Sequence, residues 1–600
     1  MPEDSKVNEI IGKIDQAKAG NIALRDRLLE YYRLYRNWKV TGFKGGRSNI
    51  AIPLAFEWVE VVKSRLFDVF FGKRPYIRVK GREPMDDLPA KIVQQYQNYQ
   101  YDLADYRKLG YDALTQILIY GTAIAKVFWK HEERDMVVDM PIYPDMPEAG
   151  TIPSKQRVTT YDNVAFELVD IFDFFIDPEA TSIDDARWVA HRTRKTLGYL
   201  QDMERRGVYK NVGQVIMSLT EDDSQTEPDQ HKDEKSIIEG FMPSRGNMLK
   251  PIEIMEYWEN DRVITVANGK VIVRDTPNPF RHGKKPFRAG KIISTPHEFY
   301  GIGLIEAGAP TAKVMEDLLN SGLDSVNFST APMLGVDQTR IDDVELVIRP
   351  GGIVHTIGDP NSAMNPLLFP DVSGGVLKFI SLIHQLNKQG TGVNDYMIGQ
   401  TTGGKTATEA SLLTSEAAKR IGLHIKIFGL TFVGPVAEMV YELNRQFTTQ
   451  AQTIRVTNMP EAPFGTIDVT PDIFGAMVDY IWESEDRELN NMVAVQQLMQ
   501  ALGIAQTHPV LAQFIPIIFE KLLEKYDMHE NDELKQAAKM AKEMAPVYQQ
   551  LVMMQMQQQI QTAQAKGGIG NAPKVASRTE GDANQSVNRQ VNPSLGNSPV

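Results

Sequence analysis

The segment order between residues 304 and 447 constrains the fold of this chain more than any other feature. Helical periodicity covers about 304–329 and 373–396, and the first of these helices begins at Leu304 or at Pro310 as a first-turn proline. A Pro- and Gly-rich stretch with two β-prone runs lies between the two helices at 331–372. A polar loop and a third helix, about 406–447, follow, and this helix exceeds the usual length of a globular helix. Because ordinary globular proteins seldom have this order, it predicts a specialised architecture.

Each of the first two helices has one apolar and one polar side. The apolar sides consist of Met315, Leu318, Gly322 and Val326 in the first helix and Val376, Ile380, Ile383 and Leu386 in the second. The polar sides consist of Lys313, Asp317, Asn320, Asp324 and Asn327 in the first helix and Lys378, Ser381, Gln385 and Lys388 in the second. We expect the apolar sides to pack and the polar sides to face water or a polar partner.

The loop Gly399–Thr406 reads GQTTGGKT and matches the phosphate-binding pattern G-x-x-x-x-G-K-[ST]. A true phosphate loop lies between a buried strand and a helix, and a downstream acidic strand holds Mg²⁺. Here the preceding residues have a helical period, and a capping box formed by Thr406 and Glu409 starts a long helix after the loop. We therefore favour a polar loop joining two helices. The alternative is a P-loop-like nucleotide triphosphatase that uses Gly404, Lys405 and Thr406.

The first half of the chain mixes helix and strand signals, which predicts an α+β fold class. Helices are predicted at about 5–38, 53–71 and 88–120, and strands at about 123–129, 163–178, 252–258, 263–266 and 271–273. The dipeptide Asn268-Gly269 predicts a type I′ hairpin turn. Residues 220–236 contain no apolar side chain, so we predict an exposed loop there.

The last part of the chain combines short strands, helices and a polar end. Gly434-Pro435 predicts a kink in the third helix, and short β signals follow at 451–485. Further helices are predicted at about 487–502, 508–526 and 531–565, the last of them rich in Gln and Met. The residues beyond 566 are polar, with Gly, Asn, Ser and Pro throughout, and predict a disordered tail.

The sequence contains no convincing catalytic or metal-binding set. Asp170, Asp173 and Asp177 have a spacing that could bind a hard cation, but we favour their placement in turns and at strand ends. His297-Glu298 does not begin an H-E-x-x-H motif, because position 301 is Gly. We therefore expect no catalytic residues, no metal and no cofactor.

The formal net charge of −12 argues against tight DNA binding, which depends on Lys and Arg neutralising phosphates. It does not exclude a protein through which DNA passes. The chain has no cysteine, which excludes disulfides and thiolate metal sites. It has no run of 18 apolar residues and no signal-peptide pattern at its start, so no membrane-spanning helix is predicted.

The segment order, together with NPFRHGKKPF at Asn278–Phe287 and TPHEFYGIGLIE at Thr295–Glu306, resembles the portal (head-to-tail connector) proteins of tailed double-stranded DNA phages. The chain is most similar to the portal proteins of short-tailed phages. The resemblance covers roughly residues 45–565. It implies a ring-forming α+β portal fold divided into a wing (1–300), stem helix 1 (301–330), a small α/β clip (331–372), stem helix 2 (373–398), a tunnel loop (399–406), a long wing helix with the rest of the wing (407–504), a helical crown (505–565) and a tail (566–600).

The resemblance also implies a location and a set of partners. Portal proteins form a ring, typically a dodecamer, that assembles in the host cytoplasm and lies at one capsid vertex of the virion. Such a ring is the channel for genome packaging and ejection and the docking platform for the packaging motor and the tail. The implied partners are further copies of the chain, weakly and non-specifically held double-stranded DNA, the terminase large subunit, head–tail adaptor and tail proteins, the major capsid protein and a scaffold protein, with no membrane.

The site residues implied by the resemblance fall into three groups. The tunnel loop would bring Gln400, Thr401, Thr402, Gly403, Gly404 and Lys405 near the DNA. The stem would present Lys313, Lys378, Gln385 and Lys388 to the channel. For docking on the clip we single out Arg340 and Arg349, which are equally compatible with exposed loop charges.

A third hypothesis is a cellular scaffold or membrane-associated protein, suggested by the Gln- and Met-rich helix at 531–565. The scarcity of Lys and Arg along its final turns argues against binding to an anionic membrane.

Overall fold

The computed structural model describes residues 3–39, 47–72, 74–141, 151–221, 229–241, 251–330, 333–336, 364–367, 373–393, 420–455 and 466–481, with a few isolated residues between 339 and 522. The predicted tunnel loop, most of the predicted clip, almost all of the helices predicted beyond 487 and the whole predicted tail lie outside the described residues. The chain divides into two units, Met1–Arg487 and Glu488–Val600, and every element below belongs to the first.

The helices of the first unit vary from nine to 28 residues in length. In chain order they are α1 (Glu3–Gly20), α2 (Ile22–Tyr35), α3 (Leu54–Phe71), α4 (Asp87–Leu103), α5 (Tyr106–Tyr120), α6 (Leu197–Arg205), α7 (Val212–Glu221), α8 (Gln230–Ile238), α9 (Leu304–Thr330), α10 (Ser373–Thr391) and α11 (Arg420–Phe447).

The strands form separate antiparallel sheets. In chain order they are β1 (Arg78–Gly81), β2 (Thr122–Pro141), β3 (Thr151–Val169), β4 (Phe174–Ile176), β5 (Val189–Lys195), β6 (Ile252–Trp258), β7 (Arg262–Ala267), β8 (Val271–Pro277), β9 (Phe287–Lys291), β10 (Met333–Val336), β11 (Met364–Leu367), β12 (Gln452–Arg455), β13 (Thr466–Val469) and β14 (Val478–Ile481).

The largest sheet has the strand order β4-β5-β6-β7-β8, and a second sheet has the order β3-β2-β9. The remaining pairs are β1–β14, β10–β11 and β12–β13. Asn268 (φ 50°) and Gly269 (φ 65°) connect β7 to β8 with both φ angles positive, which confirms the predicted type I′ turn. Helices and antiparallel sheets occupy different stretches of the chain, as the predicted α+β class requires.

Two helices that the sequence predicts as continuous are broken in the structure. The first ends at Gly20, and α2 begins at Ile22. The second breaks before Asp105, which has a φ of 51° in the left-handed region that Asp tolerates better than most residues. Tyr101 and Tyr106 stack across this break with ring centroids 4.4 Å apart. Both α4 and α5 bury apolar side chains, so the apolar spacing continues across the break. The hydrophobic pattern of the sequence therefore does not reveal the break.

The prediction of an exposed loop at 220–236 is wrong for its second half. Residues Gln230–Ile238 form α8, and Asp229 just before it is only 3% exposed. Ion pairs fix the start of this helix: Asp229 contacts Arg25 on α2 at 2.8 Å and Arg192 on β5 at 2.6 Å. Hydrophobic periodicity cannot reveal a helix whose partners are distant charges.

The main core lies among α2, α3, α5, the start of α9 and α11. In α11, Phe428 and Phe432 stack at 5.2 Å, and Phe70 of α3 meets Phe428 edge-on at 5.1 Å. A π-helical turn, Gly429–Val433, immediately precedes Gly434-Pro435, where the sequence predicts a kink.

By length and composition alone, α11 is the one helix among the described residues that is apolar enough to cross a membrane. Within the protein, 61% of its most apolar window is buried. Its contribution to the main core accounts for this composition.

Candidate functional site

The helices α9 and α10 form an antiparallel pair, and the candidate site residues that the structure describes lie on these two helices. Gly322, late in α9, lies against Val376, early in α10, where an added β-carbon would be 3.1 Å from the valine side chain. At the other end, a β-carbon at Gly308 would lie 2.3 Å from the Trp58 ring and 3.0 Å from the methyl group of Thr391. The two glycines therefore allow the helices and α3 to approach closely. Pro310 lies inside α9, which begins at Leu304, and is not a first-turn proline.

Two short antiparallel strands lie at the far end of the helix pair. Strand β10, directly after α9, pairs antiparallel with β11, shortly before α10, with Met333 opposite Leu367 and Val336 opposite Met364. The chain between these strands therefore leaves and returns at one place, as expected of a module inserted between two helices. Arg340 and Arg349 lie outside the described residues.

The polar side of α9 binds an extended segment of the same chain, residues 47–52. The backbone N–H groups of Ser48, Ile50 and Ile52 donate to the side chains of Asp324 (2.6 Å), Asn320 (2.7 Å) and Glu316 (3.0 Å). Alternate residues of an extended chain lie about 6.6 Å apart, and every fourth residue of a helix lies about 6 Å apart, so the two repeats match. Asn320 also donates to the Ile50 carbonyl at 3.1 Å.

The contact with residues 47–52 gives Asn320 and Asp324, on the polar side of α9, a partner that the sequence alone does not reveal. The hydrogen bond from the Ser48 backbone lowers the pKa of Asp324. Lys313, which the resemblance to portal proteins assigns to the channel face, forms an ion pair with Glu30 of α2. The partners of α9 lie hundreds of residues away in sequence, so its periodicity alone could not reveal them.

The predicted channel residues of α10 occupy one face of that helix. Lys378 and Gln385 are exposed, and Lys388 is half-buried. Their channel role is still a prediction, as it is for Lys313. The tunnel-loop residues Gln400, Thr401, Thr402, Gly403, Gly404 and Lys405 lie outside the described residues.

α10 has a second apolar side, next to its packed side, that is exposed. Val376, Ile380 and Ile383 are half-buried on the packed side. Phe379, Leu382 and Leu386, spaced three and four residues apart, are 61%, 52% and 50% exposed. The sequence assigned Leu386 to the packed side, but the structure places it in this exposed stripe. We call Phe379, Leu382 and Leu386 the α10 stripe.

Two apolar residues of α9 are also partly exposed. Val314 and Phe328 of α9 are 49% and 39% exposed, on a side of the helix turned away from the contact between Gly322 and Val376. Single exposed apolar residues are common on protein surfaces, but three of them in the α10 stripe, beside further exposed apolar side chains on α9, indicate a protein contact.

The aspartates considered as cation ligands are instead paired with cationic side chains. Asp170 contacts Lys235 at 2.5 Å, Asp177 contacts Arg187 at 2.5 Å, and Asp173 contacts both Arg192 and Lys232. The hydrogen bond from Arg187 lowers the pKa of Asp177. Burial raises the pKa of Asp173, but the two cations outweigh burial and hold that pKa below its ordinary value. Within the described residues, no group of three His, Asp or Glu side chains is placed to hold a metal ion.

The comparisons with known proteins agree with the segment order. The profile of the family described as phage SU10 portal protein matches residues 13–146 and 138–566. No curated protein sequence matches the chain. Portal proteins of this kind are structural components of tailed-phage virions. Because the match covers far more than half of its length, the chain belongs to the phage SU10 portal protein family and is a virion component of the portal vertex.

Proposed function

We propose that this chain forms a ring, predicted to be a dodecamer, at one vertex of the capsid of a short-tailed phage, and that double-stranded DNA enters and leaves through the centre of the ring. The observation that carries this proposal is the α9–α10 pair, which combines a polar face with the exposed α10 stripe and further exposed apolar side chains on α9. A helix pair surrounded by water would not favour such side chains, whereas neighbouring copies in a ring would cover them.

The α10 stripe suits a contact with a different surface of the neighbouring copy. A contact between unlike patches is heterologous, and it generates a ring when the rotation between copies closes. Such a contact would leave the polar face of α10, including Lys378 and Gln385, directed to the channel.

The charge of the chain fits a channel through which DNA slides. Each phosphate neutralised by Lys or Arg adds salt-dependent affinity, so a strongly basic lining would hold the DNA in place. The chain has a net charge of −12 and only a few lysines on its polar face, so each subunit would make only weak contacts with DNA, repeated around the ring. Base-specific recognition is not expected, because the packaged DNA can have any sequence.

The other roles follow from the family. The module between β10 and β11 is the proposed clip, which docks the terminase large subunit during packaging and the head–tail adaptor and tail proteins afterwards. Residues 1–300 and 407–504 are the proposed wing, and the helices predicted at 505–565 are the proposed crown. Contacts with the major capsid protein and a scaffold protein belong to the same proposal. We propose no catalytic activity for this chain.

Electron microscopy of the purified full-length protein tests the ring directly. We expect rings with a central hole, and light scattering should give a mass many times that of one subunit. Rings should also be found at one vertex of particles. A stable monomer under assembly conditions, together with particles that lack a ring, would refute the proposal.

A substitution in the loop Gly399–Thr406 distinguishes the proposed channel function from nucleotide hydrolysis. If it is a tunnel loop, Lys405→Ala should leave folding and ring assembly unchanged and reduce DNA packaging or retention, because one positive charge near the phosphates is lost from every subunit. If it is a phosphate loop, the same substitution should abolish ATP binding and turnover. Titration with ATP and a packaging assay on both proteins distinguish the two, and misfolding of the variant would contradict the tunnel-loop assignment.

A further inference from the structure

Strands β2 and β3 form a ribbon that extends well beyond the rest of their sheet. The third strand, β9, pairs with β2 only over Thr122–Lys126, whereas β2 and β3 remain paired to their ends. We call the distal part, residues 130–141 and 151–163, the β2–β3 ribbon. Most of the side chains that the structure describes in it are exposed. Because a strand rises about 3.4 Å per residue, the β2–β3 ribbon is about 37 Å long, which exceeds the roughly 30 Å diameter of a small domain.

One face of the β2–β3 ribbon is charged, and its charges pair with each other. The Asp135 carboxylate of β2 lies 3.2 Å from the Arg157 guanidinium group, directly opposite on β3, and Glu133 lies 3.8 Å from the same group. Val137 and Lys155 lie opposite each other at the next position of this face. Opposite charges on neighbouring strands stabilise an antiparallel pair. Because cations and anions are mixed, this face suits water and attracts neither DNA nor an anionic membrane.

The other face of the β2–β3 ribbon has apolar residues at alternate positions. Side chains of a strand alternate between the two faces, so Met136 lies on the face opposite to Asp135 and Val137, and it is 48% exposed. The register adds further apolar positions to the face of Met136: Val138 and Met140 on β2, and Ile152 and Val158 on β3, the last two separated by the uncharged Ser154 and Gln156. Antiparallel sheets commonly pack one face and hydrate the other, so this pattern indicates a face that packs against a partner.

The subunit alone does not provide this packing. A two-stranded hairpin is marginally stable in water, and independent stability needs three or more strands or a packed face. The pairing of β9 ends at Lys126, and Met136 remains half exposed in the whole chain. A stable β2–β3 ribbon of this length therefore needs a second molecule against its apolar face.

In the proposed ring, the next copy is the molecule that meets this need. Every subunit has a β2–β3 ribbon, so the partner must be present in equal number, and each subunit of a ring has a neighbour on either side. The ribbon is long enough to cross the boundary between two copies. A ribbon that lies on an unlike surface of its neighbour makes a heterologous contact, the kind that generates a ring when the rotation closes.

We propose that the β2–β3 ribbon is an arm that packs its Met136 face on the next copy of this chain and leaves its charged face in water. The proposal rests on the proposed ring, and it adds to that ring a contact separate from the α10 stripe. Since the arm lies outside the cores of the subunit, it should strengthen the ring without being required for the fold.

Two adjacent substitutions in the full-length protein test the arm. Met136→Asp adds a carboxylate to the apolar face, and Val137→Asp, the matched control, adds one to the charged face at a position that is 63% exposed and opposite Lys155. We expect Met136→Asp rings to dissociate at a protein concentration about tenfold higher than rings of the unchanged protein, because each contact would bury an unpaired carboxylate. Val137→Asp rings should dissociate at the unchanged concentration. Light scattering during dilution measures both, and thermal unfolding of the unassembled subunits should be the same in all three proteins.

Cross-linking identifies the molecule that the arm contacts. The chain has no cysteine, so Met136→Cys can carry a single photoreactive maleimide probe. Irradiation of purified rings should join this chain to further copies of itself, whereas unassembled subunits should stay separate. The same probe on Val137→Cys should join fewer copies, because that side chain is directed to water.

The outcomes distinguish the arm from the ring. If the unchanged protein forms no rings, the ring is refuted and the arm contact with it. If rings form, but the two aspartate variants dissociate alike or the probe on Met136→Cys joins no copies, the arm contact is overturned and the ring stands. Cross-linking of Met136→Cys only to a different virion protein in particles would also overturn the arm contact.

Discussion

Replacing Asp229 with alanine should lower the free energy of unfolding of the first unit by about 3–5 kcal/mol, the usual effect of removing one partner from a buried ion pair. The Asp229 carboxylate lies 2.8 Å from Arg25 and 2.6 Å from Arg192, and the two arginine side chains are each only 6% exposed. Alanine leaves both guanidinium groups buried with less compensating charge. Urea unfolding of the unassembled subunit, followed by circular dichroism, measures the loss.

The control for this prediction is an exposed ion pair. Asp479 contacts Arg82 at 2.7 Å, but both side chains are more than half exposed. Asp479→Ala should therefore cost about 1 kcal/mol or less, because water screens the pair. If the two substitutions destabilise the subunit equally, the Asp229 cluster does not hold α8 and α2 in the way that the structure indicates.

The lowered pKa of the Asp229 carboxylate predicts how the stability of the first unit changes with pH. Burial raises the pKa of Asp229, but Arg25 and Arg192 outweigh burial and lower the pKa from 3.8 to about 2. A carboxylate with a lowered folded-state pKa stabilises the fold above its unfolded pKa and loses that contribution as the pH falls through the folded pKa. Stability should therefore decrease between about pH 4 and pH 2, and the decrease should be smaller in Asp229→Ala.

Elements defined by local sequence were predicted well. The Asn268-Gly269 turn, α3 and the start of α9 follow from turn chemistry and helical period, which act between neighbouring residues. The α8 helix and the segment at 47–52 were missed, because each depends on polar contacts with residues distant in sequence. Asp229 needs Arg25 and Arg192, and Ser48 needs Asp324, so no local pattern contains the information.

The helix pair shows what the hydrophobic pattern of a helix can and cannot specify. The pattern correctly identified α9 and α10 as amphipathic, and it separated Lys378 and Gln385 from the packed side. It did not show that α10 has two apolar sides, of which only the one with Ile380 and Ile383 meets the rest of the subunit. Apolar periodicity shows where apolar side chains lie, but the surface that covers them depends on the assembled fold.

The double substitution Phe379→Asp with Leu382→Asp should abolish ring assembly and leave the subunit folded. Both side chains are more than half exposed, so polar replacements cost the isolated subunit little. In a ring, the same positions would bury unpaired carboxylates at every contact, and each contact should weaken by about 2 kcal/mol or more. Light scattering and electron microscopy should detect only subunits, whose thermal unfolding matches that of unassembled subunits of the unchanged protein.

Ser381→Asp is the matched control, because Ser381 is exposed on the same helix but on its polar face. This substitution should leave the rings intact, since it adds a negative charge to the same helix where we expect water and DNA. Rings that persist in the double variant would show that the α10 stripe is not the contact between copies. Loss of rings in both variants would instead mean that any negative charge on α10 prevents assembly, which would place the polar face, and not only the stripe, between neighbouring subunits.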